Sequence, residues 1–204
     1  MSRTLILDTS SDLLYVAILD NANELYVKTL FGHNNHSENL MNVITEGLQQ
    51  TALAMKDFEK IVVGIGPGSY TGLRVALAIA KMFSWTLQIP LYTISSLDLL
   101  GSGNYERDGV YAITNIAKKK HLYAKIVEVK DGYISVLSDD EFIEEEKFKE
   151  KLKGYPEATI AEHIQSSSII MKLATKVKND ELHELVPNYL RVANSWNIKF
   201  AQWK

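Results

Sequence analysis

Apolar and polar positions along this chain change their period several times, and each change marks an element. Three short runs rich in aliphatic and aromatic residues come first, Thr4 to Asp8, Leu13 to Leu19 and Glu24 to Phe31, and they predict strands, with Asn21-Ala22-Asn23 as the turn between the last two. The period then lengthens. From about Ser37 to Met55, the residues Leu40, Met41, Ile44, Leu48, Ala52 and Met55 share one side of a helix at about 100° per residue, opposite Asn42, Glu46, Gln49 and Gln50. Asn35 or Ser37 is placed to cap this helix, with Glu38 near the positive end of its dipole. A strand from Lys60 to Ile65, a glycine-rich turn and a second helix from Gly72 to about Gln88 complete the first half.

The second half repeats the order. Gly109 to Thr114, His121 to Val129 and Tyr133 to Leu137 predict strands, Glu141 to Leu152 a helix, Ala158 to Ala161 a short strand, and Ser166 to Lys178 a helix. Both halves read βββαβα, without residue-level identity between them. A duplicated unit of this kind is the plan of the actin-like ATPase (ASKHA) domain, which predicts an α/β fold of two lobes, residues 1–103 and a reduced second lobe, 104–204. Leu91 to Gly103, ending in Gly101-Ser102-Gly103, is the expected crossing between them.

The second helix departs from an ordinary amphipathic pattern. Arg74, Lys81, Ser84 and Gln88 gather in one narrow stripe, and Leu73, Val75, Ala76, Leu77, Ala78, Ile79, Ala80, Met82, Phe83, Trp85 and Leu87 cover nearly all the rest. A helix lying on a sheet needs one apolar face, so something besides the sheet must cover this one. Two covers are open: the first helix of the same lobe, or another chain.

Between strand and helix, Gly64, Gly66, Gly68 and Gly72 surround Pro67 in the stretch IVVGIGPGSYTGLR. Such a turn lets the backbone take positive φ or approach a neighbour closely, and it can cradle an anion with N–H groups at a helix start. The spacing excludes the common phosphate loops: Gly72-Leu73-Arg74 stands where a Walker A loop needs Gly-Lys-Ser/Thr, and Gly66, Gly68 and Gly72 are one residue too widely spaced for the dinucleotide fingerprint. Ser69 is not in a G-x-S-x-G elbow. A structural turn and an anion site both remain open, the second with Asp8, Ser10, Gly66, Gly68, Ser69 and Gly72 as its proximal residues.

Composition narrows the classes further. At 204 residues and 46% hydrophobic content the chain can build a real core, and the absence of cysteine excludes disulfides and thiolate metal sites. Met1-Ser-Arg leads at once into a strand with no signal-peptide core, and no apolar run nears about 18 residues, so no membrane span is expected and cytoplasm is the expected location. With 22 Lys and Arg against 25 Asp and Glu, a net charge of −3 gives no general attraction to nucleic acid. Lys118-Lys119-Lys120 reads as a solvated turn before a strand. The acidic run Asp139 to Glu146, continuing into Lys147, Lys149, Lys151 and Lys153, reads as an exposed helix rather than a carboxylate dyad.

Catalytic patterns are missing. The first strand ends Asp8-Thr9-Ser10-Ser11 without the glycine an actin-like phosphate grip uses, and Glu-His-Ile-Gln occupies the second-lobe turn between Ala161 and Ser166. Asp8 has two readings, a magnesium ligand or the cap of its own turn. His33 and His36 flank two asparagines, while His121, His163 and His183 stand alone, each fitting a surface or hydrogen-bonded role better than a ligand role.

The segments ILDTSS, HSENLMNVI, VVGIGPGSYTGLRVALAIAK, IPLYTISSLDLL and the closing PNYLR together resemble the TsaB family, also called YeaZ, densely over Leu5 to Leu100 and again at Pro187 to Arg191. The resemblance implies a non-catalytic subunit that binds and stabilises TsaD in forming threonylcarbamoyladenosine beside the tRNA anticodon. It implies ATP and metal in the partner subunits and no cofactor here, with TsaE, an ATPase, in the larger complex and tRNA met only through that complex. The paralogue TsaD takes metal partly from two histidines just after the region matching Leu91 to Leu100, where TISSLDLLGSG has none. In the family the first two helices of the N-terminal lobe pack on TsaD, or self-pair without it. Carried over, this places Leu40, Met41, Ile44, Leu73, Leu77, Ala80 and Lys81 at the partner interface. Many members read Asp-Ala-Arg at the start of the second lobe, and this chain reads Ile116-Ala117-Lys118, so that carboxylate has no counterpart. Two other classes stay in view: a small actin-like ATP-dependent enzyme or glycopeptidase-type hydrolase, and a self-sufficient homodimeric binding module.

Overall fold

The computed structural model describes residues 2–32 and 36–190 of the chain. Asn35 and His33, named above as a cap and a candidate ligand, and Arg191 of the PNYLR segment lie outside the described residues.

Strands β1 (Arg3–Asp8) and β2 (Leu13–Asp20) are buried on both faces, and this follows from their nearly uninterrupted apolar sequence. With β3 (Asn23–Phe31), β4 (Lys60–Gly64), β5 (Leu91–Ile94) and β10 (Thr175–Lys176) they form a sheet ordered β10-β5-β4-β1-β2-β3. β1 runs antiparallel to β2 and parallel to β4, so β1 and β4 end on the same side. Alternate residues sort to the two faces. Leu5, Leu7, Val16, Ile18, Ile61 and Val63 meet α1 (His36–Thr51) and α2 (Tyr70–Leu87); Ile6, Tyr15, Ala17 and Val62 meet the other side.

The second sheet is ordered β8-β7-β6-β9, from β6 (Gly109–Lys118), β7 (His121–Lys130), β8 (Tyr133–Glu144) and β9 (Ala158–Ile160). Its outer face packs on α4 (Glu145–Leu152) through Phe148. Between the sheets lie α3 (Ser96–Gly101) and α5 (Ser167–Leu173). Leu97 of α3 enters the second lobe's cluster, and Leu99 and Leu100 enter the first lobe's, so this one helix is a wall shared by both. The βββαβα order therefore holds in both halves.

Three expectations change. Residues Asp139 to Glu144 extend β8 rather than open a helix, because they continue its pairing with β7 beyond a bulge and only Glu145 onward turns helical. The helix expected over Ser166 to Lys178 stops at Leu173, where the chain turns to lay Thr175 and Lys176 against β5. The chain thereby crosses back: Val177, Leu182 and Leu185 pack into the first lobe's core although the sequence division assigned them to the second. Lys119 and Lys120 form an exposed turn after Lys118, the exposed last residue of β6, with Lys120 at φ 62°.

Candidate functional site

The glycine turn and the end of β1 form one closed knot. Asp8 Oδ1 accepts from the Ser10 amide at 2.7 Å and the Ser10 hydroxyl at 2.6 Å, and Oδ2 accepts from Ser96 Oγ at 2.6 Å. Ser96 Oγ in turn accepts from the Gly66 amide at 2.9 Å. This carboxylate is buried, and burial pushes its pKa up while the hydrogen bonds from Ser10 and Ser96 pull it back. Asp8 thus caps its own turn and ties β1 to α3.

The turn's N–H groups are largely spent within the protein. Ser69 N donates to Ser10 O at 2.6 Å, Gly72 N to Ser69 Oγ at 3.3 Å, and Leu73 N to Ser69 O at 2.9 Å, so Ser69 is the N-cap of α2. Two glycines are dictated by close approach: a Cβ at Gly72 would enter the Thr9 carbonyl, and one at Gly68 the Ser10 main chain. Gly66, following a different need, takes φ +105° ahead of a cis bond to Pro67. All six proximal residues named from sequence are brought together here, around a buried carboxylate rather than around an open cradle.

The helix residues named for a partner fall into two groups. Leu40, Ile44, Leu77 and Ala80 are enclosed in their own lobe, packed between the sheet and the two helices, which is where the apolar period of each helix meets the sheet, and Leu73 is buried close to Gly66 of the glycine turn. Met41 is exposed and Lys81 half-buried. The open stripe of α2 instead carries Tyr70 at 59%, Met82 at 49% and Trp85 at 55% exposure, with Arg74 and Ala78 between them. The helical period was readable from sequence; which part of the wheel the body of the protein covers was not.

One flank of that stripe is bounded by the returning C-terminal segment. Lys81 Nζ donates to the carbonyls of His183 at 2.9 Å and Leu185 at 3.2 Å, and His183 meets Trp85 edge-on at 4.2 Å. Asn188 N donates to Ile65 O at 2.7 Å, and Tyr189 stacks on Tyr70 at 5.1 Å. His163 lies on the carbonyl of Thr114 at 2.9 Å, and His121 stacks on Phe142. Between the lobes, a cavity of about 250 Å³ is lined by Ser11, Asp12, Phe31, Asn115, Ile116 and His163. Among the described residues no group of three or more His, Asp or Glu side chains is placed to hold a metal ion.

Sequence reasoning missed a buried ionic cluster. Lys125 Nζ reaches Asp98 Oδ2 at 2.5 Å and Asp140 Oδ1 at 3.5 Å; Tyr105 Oη donates to Asp98 Oδ1 at 3.0 Å, and Ser95 Oγ to Asp140 Oδ2 at 2.8 Å. Burial pulls the Lys125 ammonium down, but the two carboxylates outweigh it and leave its pKa raised. Asp140, at the longer distance, is less compensated, and burial holds its pKa up. The signal was present as one lysine in the apolar run HLYAKIVEV, flanked at both sides by core residues. Asp140 points inward because β8 carries two residues, Asp139 and Asp140, opposite Lys125, a bulge that re-aims the side chain.

Comparisons with known proteins converge. A family model described as TsaD, tRNA N6-adenosine threonylcarbamoyltransferase, matches residues 31–179. The chain is 28% identical to the tRNA threonylcarbamoyladenosine biosynthesis protein TsaB of Bacillus subtilis, over 94% of this chain and 95% of that one. It is 27% identical to the protein of the same name from Buchnera aphidicola, over 90% and 83%. Among solved structures, YeaZ from Pseudomonas aeruginosa superposes with a TM-score of 0.76 at 19% identity, covering 93% of this chain and all of that one, a likeness that speaks for the fold.

Proposed function

This chain belongs to the TsaB (YeaZ) family, within the wider family described by the threonylcarbamoyltransferase model, and we propose that it serves as a non-catalytic subunit that binds and stabilises TsaD. It has the actin-like ATPase fold and takes part in tRNA threonylcarbamoyladenosine biosynthesis. The observation that carries the subunit reading is the apolar stripe of α2, Tyr70, Ala78, Met82 and Trp85, which the described residues leave exposed, as they leave Met41 of α1. Aromatic and methionine side chains set among a few cations, here Arg74 and Lys81, are the composition of a protein-binding surface.

The proposed interface keeps Met41 and Lys81 from the sequence expectation and adds Tyr70, Met82 and Trp85. Leu40, Ile44, Leu73, Leu77 and Ala80 act from beneath, by fixing the two helices on the sheet. The same stripe offers a self-pairing surface when TsaD is absent. The knot around Asp8 supports a subunit without its own nucleotide site, since a buried carboxylate behind the turn repels phosphate and the amides of Gly66, Ser69, Gly72 and Leu73 are engaged within the protein. In this reading ATP and metal reside in the partner subunits, TsaE joins the larger assembly, and tRNA is met only through it. No described helix is long and apolar enough to cross a membrane, and cytoplasm is the compartment this proposal assumes.

Size-exclusion chromatography with light scattering tests it. The chain alone should run as a homodimer, and an equimolar addition of TsaD should convert it to a one-to-one complex. Absence of any complex at micromolar concentrations, or brisk ATP hydrolysis by the isolated chain, would overturn the proposal.

A further inference from the structure

Two consecutive serines at the start of α3 bond to carboxylates of opposite lobes. Ser96 Oγ donates to Asp8 of β1, in the first sheet, and Ser95 Oγ donates to Asp140 of β8, in the second. Behind Ser95 the chain of contacts runs on through Lys125 of β7 to Asp98, three residues farther along, and to Tyr105. Every member is buried or nearly so, and Lys125 and Asp140 are 8% and 13% exposed at the side chain.

We propose that this cluster is a lock that holds the two lobes at one fixed angle, so that the chain moves as a single body. Packing alone would not do this. Leu97, Leu99 and Leu100 give α3 an apolar footing in each lobe, but apolar contacts are non-directional and tolerate sliding, whereas an ammonium bonded to Asp98 and facing Asp140, with the Tyr105 and Ser95 hydroxyls donating to those carboxylates, is held only over a narrow range of positions. A hinge displacement that separated Lys125 from Asp98 would strand charges away from both partner and water. The bulge in β8 fits this role, because it serves no purpose in pairing and turns Asp140 toward Ser95 and Lys125. Whatever docks on α2 of the first lobe would then carry the second lobe in a defined orientation. The inference stands on the cluster itself and does not need the partner to be TsaD.

The chain has no cysteine, so two introduced ones are unique labelling sites. Gln50 on α1 and Lys147 on α4 are exposed and lie on the outer faces of the two sheets. With spin labels at Gln50→Cys and Lys147→Cys, the distance distribution by electron-electron double resonance should be single and narrow. Adding Asp98→Asn, Lys125→Met and Asp140→Asn together removes the charges while leaving no ion stranded, and should widen the distribution at least twofold with the circular dichroism of a folded protein. An unchanged width would overturn the proposal. Should the triple variant fail to fold, the pair Asp98→Asn and Lys125→Met, which removes the contact between α3 and β7 and leaves Asp140 on Ser95, takes the same test: broadening supports the lock, and the parental width overturns it.

Discussion

Gly64 gives up its side chain to Asp8: a Cβ at Gly64 would lie inside the Asp8 carboxylate, with Ser96 Oγ only 2.7 Å away. The contact joins the last residues of two parallel strands, so it tests whether the glycine turn is a packing device. Gly64→Ala should destabilise the protein by about 3 kcal/mol in urea unfolding, through overpacking and loss of the Asp8 bonds. A cost within about 0.5 kcal/mol, as for an ordinary surface change, would show that the carboxylate is free to move aside.

The same carboxylate predicts a pH dependence. Because Asp8 is raised in the folded protein above its ordinary 3.8, the unfolded chain loses its proton first, and the folded state loses stability as pH climbs from there through the raised value. Above that window the penalty is fully present. Asp8→Asn should therefore flatten this part of the stability profile, read as the difference between variant and parent in urea midpoints from pH 3.5 to 7. A steeper fall of the parent toward acid pH relative to the variant would reverse the assignment.

Leu77 and Trp85 separate core from surface on α2. Leu77, 4% exposed, should not tolerate glutamate: Leu77→Glu buries a charge and is expected to cost more than about 4 kcal/mol. Trp85→Glu should leave thermal unfolding nearly unchanged and weaken association with TsaD by about 30-fold or more, the loss of one aromatic anchor. Calorimetric titration and a melting curve on both variants check the pair.

Lys81 fastens the returning C-terminal segment through two main-chain carbonyls. Lys81→Met keeps the aliphatic stem and removes about 1 kcal/mol of hydrogen bonding, so amide exchange at Leu185 and Asn188 should quicken about fivefold while amides of β1 and β2 stay protected. Equal acceleration everywhere would mean that the segment is part of the global core.

How much of this could be read beforehand follows from what a sequence encodes locally. The duplicated βββαβα order was legible because periods of two and 3.6 are local, and Leu13 to Leu19 or Leu40 to Leu48 carry them without interruption. Asp139 to Glu144 misled because a run of acids on an edge strand has no apolar period to betray it. Thr175 and Lys176 misled because the edge of β5 that captures them lies some eighty residues earlier in the chain. For α2, the wheel gave the apolar excess but not its phase; the family resemblance placed Leu73, Leu77 and Ala80 with Lys81 at the interface, and the lobe itself buries the first three. Lys125 could have been found, since a lysine whose strand neighbours on both sides are core residues must meet a carboxylate or lose its charge.

That lysine yields the last prediction. In the parent, the raised pKa of Lys125 means that its contribution is complete below the ordinary value of 10.5 and is lost only as pH rises through the folded value, so nothing changes near neutrality. Lys125→Met reverses this. Asp98 and Asp140 would then face each other without a cation, and at neutral pH removing one partner of such a group is expected to cost about 3 to 5 kcal/mol. With no ammonium to oppose burial, Asp140, already raised in the parent, binds a proton more readily when folded than when unfolded, so the variant should regain stability as pH falls from 7 toward 5. Adding Asp98→Asn and Asp140→Asn should restore most of the loss at pH 7 and abolish the acid gain. Urea unfolding of the three proteins at pH 5 and 7 decides it: a single variant that is equally unstable at both pH values would mean that the methionine is rejected for its shape, and that the two carboxylates are not energetically coupled to the lysine.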